Sequence, residues 1–239
     1  MEAFWNDFIN KFDMAFLAGD RWKLYLQGMG TTLGLTVSAL VIGVVLGVLV
    51  AVVRSAHDQQ RVGRRSFALG VVNAVCKLYT TVIRGTPMLV QLLIWGFVIF
   101  KTSRNRFFVG MLGLGINSGA YVAEIVRGGL MSVDAGQSEA GRSLGLGYID
   151  TMWHIVIPQA FKNILPSLGN EFIVLFKDTS LVSSIGAAEV LYYAEAVGAK
   201  TYEYMFPYIG IAVMYLVFCI LFTWLQSKLE RRLRASDRR

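Results

Sequence analysis

Charged side chains are scarce in this sequence. Asp, Glu, Lys and Arg make up only 16% of its 239 residues, whereas an ordinary soluble domain has about 25%. Hydrophobic residues make up 55%, which is more apolar surface than a soluble chain of this length can hide. These proportions exclude a cytosolic enzyme and a disordered chain, and they indicate that the lipid bilayer is the main solvent of the protein.

Cysteine, histidine and catalytic motifs are also rare or missing from the sequence. The two cysteines, Cys76 and Cys219, lie far apart in apolar runs, which excludes a disulfide scaffold. The two histidines, His57 and His154, do not belong to any metal-ligand spacing, and the sequence contains neither a phosphate-binding loop nor an H-E-x-x-H motif. We therefore predict a non-catalytic chain that binds no metal and no cofactor of its own.

The basic residues cluster beside apolar runs, although the formal net charge is +7. Such clusters are typical of a membrane protein whose positive segments face the cytoplasm. The clusters are Arg54, Arg61, Arg64 and Arg65, and then Lys228, Arg231, Arg232, Arg234, Arg238 and Arg239. We predict a cytoplasmic C-terminus, an external N-terminus and no nucleic-acid partner, although the basic loop from Lys101 to Arg106 would then face outward.

Long apolar runs predict an all-α fold, a polytopic membrane helix bundle with about five transmembrane helices. An amphipathic N-terminal segment (1–23) precedes a transmembrane domain (24–230), and a basic cytoplasmic tail (231–239) ends the chain. Pro87 is expected to separate an amphipathic or partly cytoplasmic lead-in from a short span. The predicted spans are Leu24–Val53, the short span that ends at Phe100, Phe107–Leu130, a stretch with internal charges at Ile155–Ile185, and Phe206–Leu225.

A polar, glycine-punctuated loop at about 132–157 interrupts the apolar runs and is predicted to lie in the cytoplasm. Its first helix is expected to run from Ser138 to Leu144, with Ser138 as the N-cap and Glu139 in the first turn. Gly145 is expected to end this helix in a left-handed conformation.

A second short helix of the same loop is expected to begin at Asp150 and to be broken by Pro158. Two short helices in succession form a compact projection at the membrane surface. The alternative is a simple connector between two spans.

Polar and ionisable side chains inside the predicted spans suggest a substrate path. Asn117, Tyr121 and Glu124 share one helical stripe of the third span, and Arg127 lies one turn beyond Glu124. Charges at membrane depth are costly, so they usually face the bundle interior or a water-filled path. A zwitterionic amino acid needs a carboxylate for its ammonium group, and Arg, amide or hydroxyl groups for its carboxylate. The alternative is structural ion pairing, within Glu124–Arg127 and within Glu171, Lys177 and Asp178.

Several short segments follow one another in a fixed order along the chain. Each is a weak signal by itself, but the ordered set is specific. They are Arg84–Leu92 (RGTPMLVQL), Asn117–Gly129 (NSGAYVAEIVRGG), Gly136–Gly145 (GQSEAGRSLG), Ile157–Ala160 (IPQA), Leu165–Pro166, Asn170–Ile173 (NEFI) and Lys177–Leu181 (KDTSL). Together they resemble the permease subunits of ABC importers for polar amino acids, the histidine, glutamine, glutamate, arginine and opine group. The resemblance covers about Gly28 to Leu229.

The resemblance implies a multi-pass permease of the bacterial inner membrane that pairs with a second copy or a sister permease. It also implies a pair of ATP-binding cassette subunits, which would bind ATP and Mg, and an extracellular or periplasmic amino-acid-binding protein. The polar loop would dock on the ATPase through Ser138, Glu139, Ala140, Gly141 and Gly145. Gly141 stands where alanine is usual, which is expected to loosen the helix slightly because glycine is a poor helix former.

We predict a transmembrane permease subunit that translocates polar amino acids and is driven by ATP hydrolysis in a partner. The candidate residues of the substrate path are Arg84, Thr86, Gln91, Asn117, Ser118, Tyr121, Glu124, Glu171 and Asp178. One alternative is an ion-coupled secondary transporter, which predicts more spans and an inverted repeat. Another is a membrane scaffold, which predicts no charged stripe inside the bundle.

Overall fold

The computed structural model describes residues 1–58, 60 and 66–235. These residues form helices and turns and contain no strand, which confirms the predicted all-α class. The helices are α1 (Glu2–Phe12), α2 (Trp22–Asp58), α3 (Phe67–Gly85), α4 (Met88–Leu93), α5 (Arg106–Met131), α6 (Ala135–Ser143), α7 (Tyr148–Thr151), α8 (Ile157–Asp178), α9 (Val190–Thr201) and α10 (Met205–Ala235). The basic residues Arg61, Arg64, Arg65, Arg238 and Arg239 lie outside the described residues.

Four of the described helices, α2, α3, α5 and α10, are long and apolar enough to cross a membrane, and Met88–Ile99 is a shorter apolar segment. The 19-residue helix α3 covers the expected lead-in, and by length and composition alone it could itself cross a membrane. The helix that covers most of the predicted fourth stretch, α8, is not among the four. It carries Lys162, Glu171, Lys177 and Asp178, in line with the expectation that it is not a plain lipid-facing helix.

The prolines act differently at the two predicted breaks. The break at Pro87 is confirmed, since α3 ends at Gly85 and Pro87 precedes the first residue of α4. The predicted break at Pro158 is wrong, because a π-helical turn over Met152–Val156 carries α7 directly into α8. In that turn the Ile157 N–H bonds to the Met152 carbonyl. The wider turn accommodates a proline that has no N–H to donate.

The chain divides into two compact units, each with its own apolar core. The first unit comprises Met1–Ala39, Pro87–Leu114 and Ile173–Thr223, and the second comprises Leu40–Thr86, Gly115–Phe172 and Trp224–Arg239. Buried residues of the first core are Tyr25, Met29, Phe176, Val190, Ala194, Val197 and Ile211. Those of the second core are Ala51, Val122, Val126, Ala160 and Ile164.

Two glycines let α2 approach α5 closely in the second unit. The four-residue spacing of Gly43 and Gly47 predicts a small-residue packing face. A Cβ atom at Gly43 would lie 2.7 Å from the Ser118 Oγ, and one at Gly47 would lie 2.6 Å from the Val122 Cβ. These distances are too short for real carbon contacts, which confirms the close-packing face. The contact holds α5 against α2 near Ser118, where the polar stripe of α5 begins.

Candidate substrate path and coupling surface

Glu124 on α5 lies at the centre of an ion cluster in the second unit. Its carboxylate contacts Arg54 of α2 directly, while Arg127 Nη1 lies 3.5 Å and Arg84 Nη1 3.9 Å from its oxygens. Asp58 adds a second carboxylate, 3.5 Å from Arg127 Nε. The predicted Glu124–Arg127 pair is therefore present, but it is one part of a network that joins α2, α3 and α5.

Arg54 is the member of this cluster that sequence reasoning missed. The sequence shows it only as a basic residue after an apolar run, and its partner lies 70 residues away. The side chains of Arg54 and Glu124 are only 14% and 26% exposed. A partly desolvated charge is costly without its partner. The contact with Arg54 therefore supports a structural role for Glu124.

Arg84 differs from the other arginines of the cluster in its exposure and its neighbours. Its side chain is 44% exposed, and its guanidinium carbon lies 5.4 Å from the centre of the Tyr121 ring. Arginine stacked on an aromatic face keeps donors available for a planar carboxylate. Arg84 and Tyr121, both predicted from sequence, therefore lie together at the accessible side of a cluster with more arginines than carboxylates.

A second polar pair of the same unit joins α5 to α8. The Ser118 Oγ donates to the Glu171 Oε1 at 2.7 Å, and both residues are buried, as is the neighbouring Asn117. This places three of the predicted path residues in the interior of the unit.

The remaining path residues are placed separately. Thr86 follows α3 and its Oγ1 donates to the Val82 carbonyl at 2.9 Å, so it helps to close the end of that helix. Gln91 on α4 is buried, and Asp178 is the last residue of α8. Both belong to the first unit, and they stay predictions from sequence.

The polar loop at about 132–157, which forms the projection and is called the coupling loop from here on, begins with a helix that differs from the predicted one at its start. Helix α6 starts at Ala135, and the Asp134 carboxylate accepts a bond from the Gly136 N–H at 2.6 Å. The prediction that Ser138 is the N-cap is wrong, because Asp134 takes that position one turn earlier. Glu139 consequently lies in the middle of α6 and not in its first turn.

The end of α6 agrees with the prediction for Gly145. This glycine has a φ of +81°, a left-handed conformation that favours glycine. Its N–H bonds to the Arg142 carbonyl at 3.0 Å, and the Leu146 N–H bonds to the Gly141 carbonyl at 3.1 Å. The two bonds are those of a Schellman motif, which satisfies carbonyls at the end of the helix.

Gly141 has a packing role that could not be predicted from its standing where alanine is usual. It is buried, and a Cβ atom there would lie 2.9 Å from Thr151 Cγ2 and 3.0 Å from Ile155 Cδ1. The glycine thus lets α6 lie against α7 and the turn that follows it. A close contact of this kind holds the helix in place, which differs from the expected loosening.

We expect Gly141→Ala to destabilise the coupling loop, because the added methyl group has to displace Thr151. Overpacking of this kind costs about 1–3 kcal/mol. The melting temperature of the purified protein should fall, and Thr151→Ala in the same chain should restore it. Gly30→Ala is the matched control, since the described residues leave open space there. Equal melting temperatures for Gly141→Ala and wild type would refute the packing role.

The outer face of the coupling loop exposes large apolar side chains. Leu144 is 80% exposed, Ile149 78% and Trp153 68%, and Glu139 and Ala140 on α6 are exposed as well. Exposed apolar side chains on a polar projection are typical of surfaces that contact another protein or a membrane. The sequence pattern of the second short helix places Ile149 and Trp153 on one helical face, whereas no sequence pattern assigned Leu144 to this surface.

Side-chain hydrogen bonds attach the projection to the first turns of α8. The Asn163 Nδ2 donates to the Ser132 Oγ at 2.8 Å, and the Gln159 Nε2 donates to the Gln137 Oε1 at 3.3 Å. These bonds join the projection to α8, the helix that also carries Glu171.

Three features occur together in this protein: membrane-length helices, an internal charged cluster and a polar projection with an apolar outer face. They are those of a membrane permease that works with a partner protein. Residues 66–235 match the family described as the inner membrane component of binding-protein-dependent transport systems. The chain belongs to this family, as the resemblance implied.

Named relatives and a solved structure agree with this family. The arginine transport system permease protein ArtQ of Bacillus subtilis is 37% identical over 184 residues, which cover 71% of this chain and 84% of the relative. The glutamine transport system permease protein GlnP of Escherichia coli is 36% identical over 174 residues, 71% of this chain and 80% of the relative. The L-cystine transport system permease protein TcyB of Bacillus subtilis is 40% identical over 162 residues, 66% of this chain and 69% of the relative.

The crystal structure of an amino acid ABC transporter with histidines has a chain that is 42% identical in sequence to this one. The TM-score is 0.80, and the match covers 91% of this chain and 98% of that chain. An inward-facing structure of the MetNI methionine ABC transporter matches at a TM-score of 0.73 with 16% identity, and it covers 90% of this chain and 98% of that chain. This second match supports the fold alone.

Proposed function

We propose that this chain forms the membrane path of an ABC importer for polar amino acids. The relatives named above carry arginine, glutamine and cystine in their names, so these three amino acids are the first substrates to test. The alternatives of a secondary transporter and a scaffold are less well supported, because residues 66–235 match a family of binding-protein-dependent transport components.

The observation that carries the proposal is the placement of Arg84 on Tyr121 beside the arginine-rich cluster. A guanidinium can bind a carboxylate through two parallel hydrogen bonds, and a cluster with surplus positive charge attracts that end of a zwitterion. We propose that Arg84 receives the substrate carboxylate. Glu171 and the hydroxyl of Ser118 would then offer acceptors for the ammonium group.

Replacement of Arg84 by Gln is expected to slow uptake without unfolding the protein. A hydrogen bond to a charged group contributes about 1.5–3 kcal/mol, so uptake at a low concentration of the amino acid should fall by about tenfold or more. The measurement is uptake of a labelled amino acid by vesicles that hold the complete transporter. Arg104→Gln, a loop arginine of the first unit, is the matched control and should transport normally. Wild-type uptake by the Arg84 variant would remove this residue from the path.

We propose that the coupling loop docks on an ATP-binding cassette subunit. The complete transporter would contain two permease chains, each with one such subunit. The exposed apolar residues Leu144, Ile149 and Trp153 support this proposal, because a partner would bury them. ATP and Mg would be bound by that partner, and a soluble binding protein would deliver the amino acid on the opposite side. The second permease chain is either another copy or a sister permease.

We propose that the coupling loop and the C-terminus lie in the cytoplasm and the N-terminus outside. The basic residues near Asp58 and at the end of the chain support this orientation. Reporter domains fused after Asp58 and after Gly147 are expected to report the cytoplasm, and one fused before Met1 the outside. A periplasmic signal from the fusion after Gly147 would contradict both the orientation and the docking proposal.

A further inference from the structure

Helix α1 is amphipathic, and the rest of the protein leaves its apolar side exposed. Phe4 is 67% exposed, Trp5 55% and Ile9 58%. On a helix of 3.6 residues per turn the apolar residues fall within an arc of about 140°. That arc contains Phe4, Trp5, Phe8, Ile9 and Phe12, whereas Glu2, Asn6, Asp7, Asn10, Lys11 and Asp13 fall outside it.

Contacts made by the middle of α1 and by the turn that follows it hold this helix at the level where two membrane-length helices begin. The Phe8 ring packs edge to face on Phe206, the second residue of α10, with 4.9 Å between the ring centres. After α1 the chain turns into α2, and the Tyr25 Oη donates to the Ala15 carbonyl at 3.2 Å. Helix α1 is therefore fixed beside the first turns of α2 and α10.

An apolar groove connects α1 to the sides of these two helices. It has a cavity volume of about 400 Å³, and residues of its lining include Phe12, Phe16, Trp22, Leu26, Gly210 and Met214. Ile209 and Val213 continue the exposed apolar surface along α10. The apolar face of α1 is thus continuous with helix surfaces that face lipid in a membrane-spanning protein.

Aromatic residues mark the same level as a membrane–water boundary. Trp22, Tyr204 and Tyr208 are 44%, 43% and 41% exposed, and tryptophan and tyrosine are enriched where a membrane meets water. Lys23 lies 5.5 Å from the centre of the Trp22 ring, so a cation and an indole share this boundary.

We propose that α1 is an interfacial helix that binds the lipid surface of the leaflet in which α2 begins. It lies in the plane of the membrane, with Phe4, Trp5 and Ile9 at the boundary of headgroups and acyl chains. A helix with a strong apolar face and a charged face binds membranes in this way. The proposal requires a membrane-embedded protein and is independent of which amino acid the protein transports.

The test uses the full-length protein in its transporter complex, reconstituted in phosphatidylcholine vesicles. A fluorescent NBD group is attached to single cysteines in a Cys76→Ser and Cys219→Ser background. Trp5→Cys and Ile9→Cys report the apolar face, and Asn6→Cys and Asn10→Cys are the matched controls on the polar face. Quenching is measured with lipids that carry a doxyl group near the headgroup, and with iodide in the water.

We expect lipid quenching to be several-fold stronger at positions 5 and 9 than at positions 6 and 10, and iodide quenching to show the opposite order. Equal quenching at all four positions would overturn the proposal. Shielding of positions 5 and 9 from iodide only after a soluble binding protein is added would also overturn it, since the apolar face would then serve a protein partner. Loss of uptake alone would bear on the proposed function and not on this helix.

Discussion

Replacement of Glu124 by Gln is expected to lower both the thermal stability of the protein and its rate of uptake. Glu124 contacts Arg54, Arg84 and Arg127. Its neutralisation therefore leaves three arginines close together, and among the described residues the Asp58 carboxylate is paired with one of them, Arg127. Removing one partner of a buried ion pair costs about 3–5 kcal/mol. The side chain of Glu124 is 26% exposed. Because the site is partly hydrated, we expect the free energy of unfolding to fall by about 2 kcal/mol.

A double-mutant cycle with Arg54 separates a structural role of Glu124 from a role in binding. Residues that interact directly show a coupling energy of about 0.5–3 kcal/mol, so Arg54→Met in the Glu124→Gln chain should recover part of the lost stability. Thermal melting of the purified protein and uptake by vesicles are measured together. A wild-type melting temperature combined with lost uptake would instead return Glu124 to the substrate path.

Replacement of Glu139 by Lys is expected to abolish most uptake while the membrane helices remain folded. Glu139 is exposed in the middle of α6, close to the apolar outer face of the coupling loop. Exposed substitutions away from special sites change stability by about 0.5 kcal/mol or less. A reversed charge at a docking surface costs more, because it meets like charge or loses a pairing partner on the ATPase.

The measurement compares ATP hydrolysis, uptake and co-purification of the ATPase for this variant. Glu139→Gln is the matched variant: it keeps the shape and removes the charge, so its defect should be smaller. We expect the Glu139→Lys protein to insert and melt normally but to co-purify with less ATPase. Normal docking, hydrolysis and uptake by this variant would show that the loop is only a connector.

Local sequence patterns predicted the features that depend on neighbouring residues. The left-handed Gly145, the break at Pro87 and the packing face of Gly43 and Gly47 each follow from backbone freedom, a missing N–H or a missing side chain. The wrong prediction of the α6 cap comes from competition between local signals. Asp134 and Ser138 are both good caps, and the earlier one begins α6.

Features that depend on distant contacts could not be predicted from the sequence. The pairing of Arg54 with Glu124 joins residues far apart in the chain, and the need for glycine at position 141 arises from Thr151 and Ile155 across the loop. The error at Pro158 has a local cause instead: a π-helical turn precedes this proline and keeps the helical path continuous. The sequence stripe placed Asn117, Tyr121 and Glu124 on one helix, but it could not show that Arg54 pairs with Glu124 or that Arg84 lies on Tyr121.

Uptake by vesicles tests most directly whether the chain is the permease subunit of an ATP-driven importer. The purified chain is reconstituted with its ATPase pair and binding protein, and uptake of labelled arginine, glutamine and cystine is measured with and without ATP at the nucleotide-binding side. We expect uptake of at least one of the three to require ATP and to continue after ion gradients are collapsed by ionophores. Uptake that proceeds without ATP and stops when the ion gradient is removed would contradict the account.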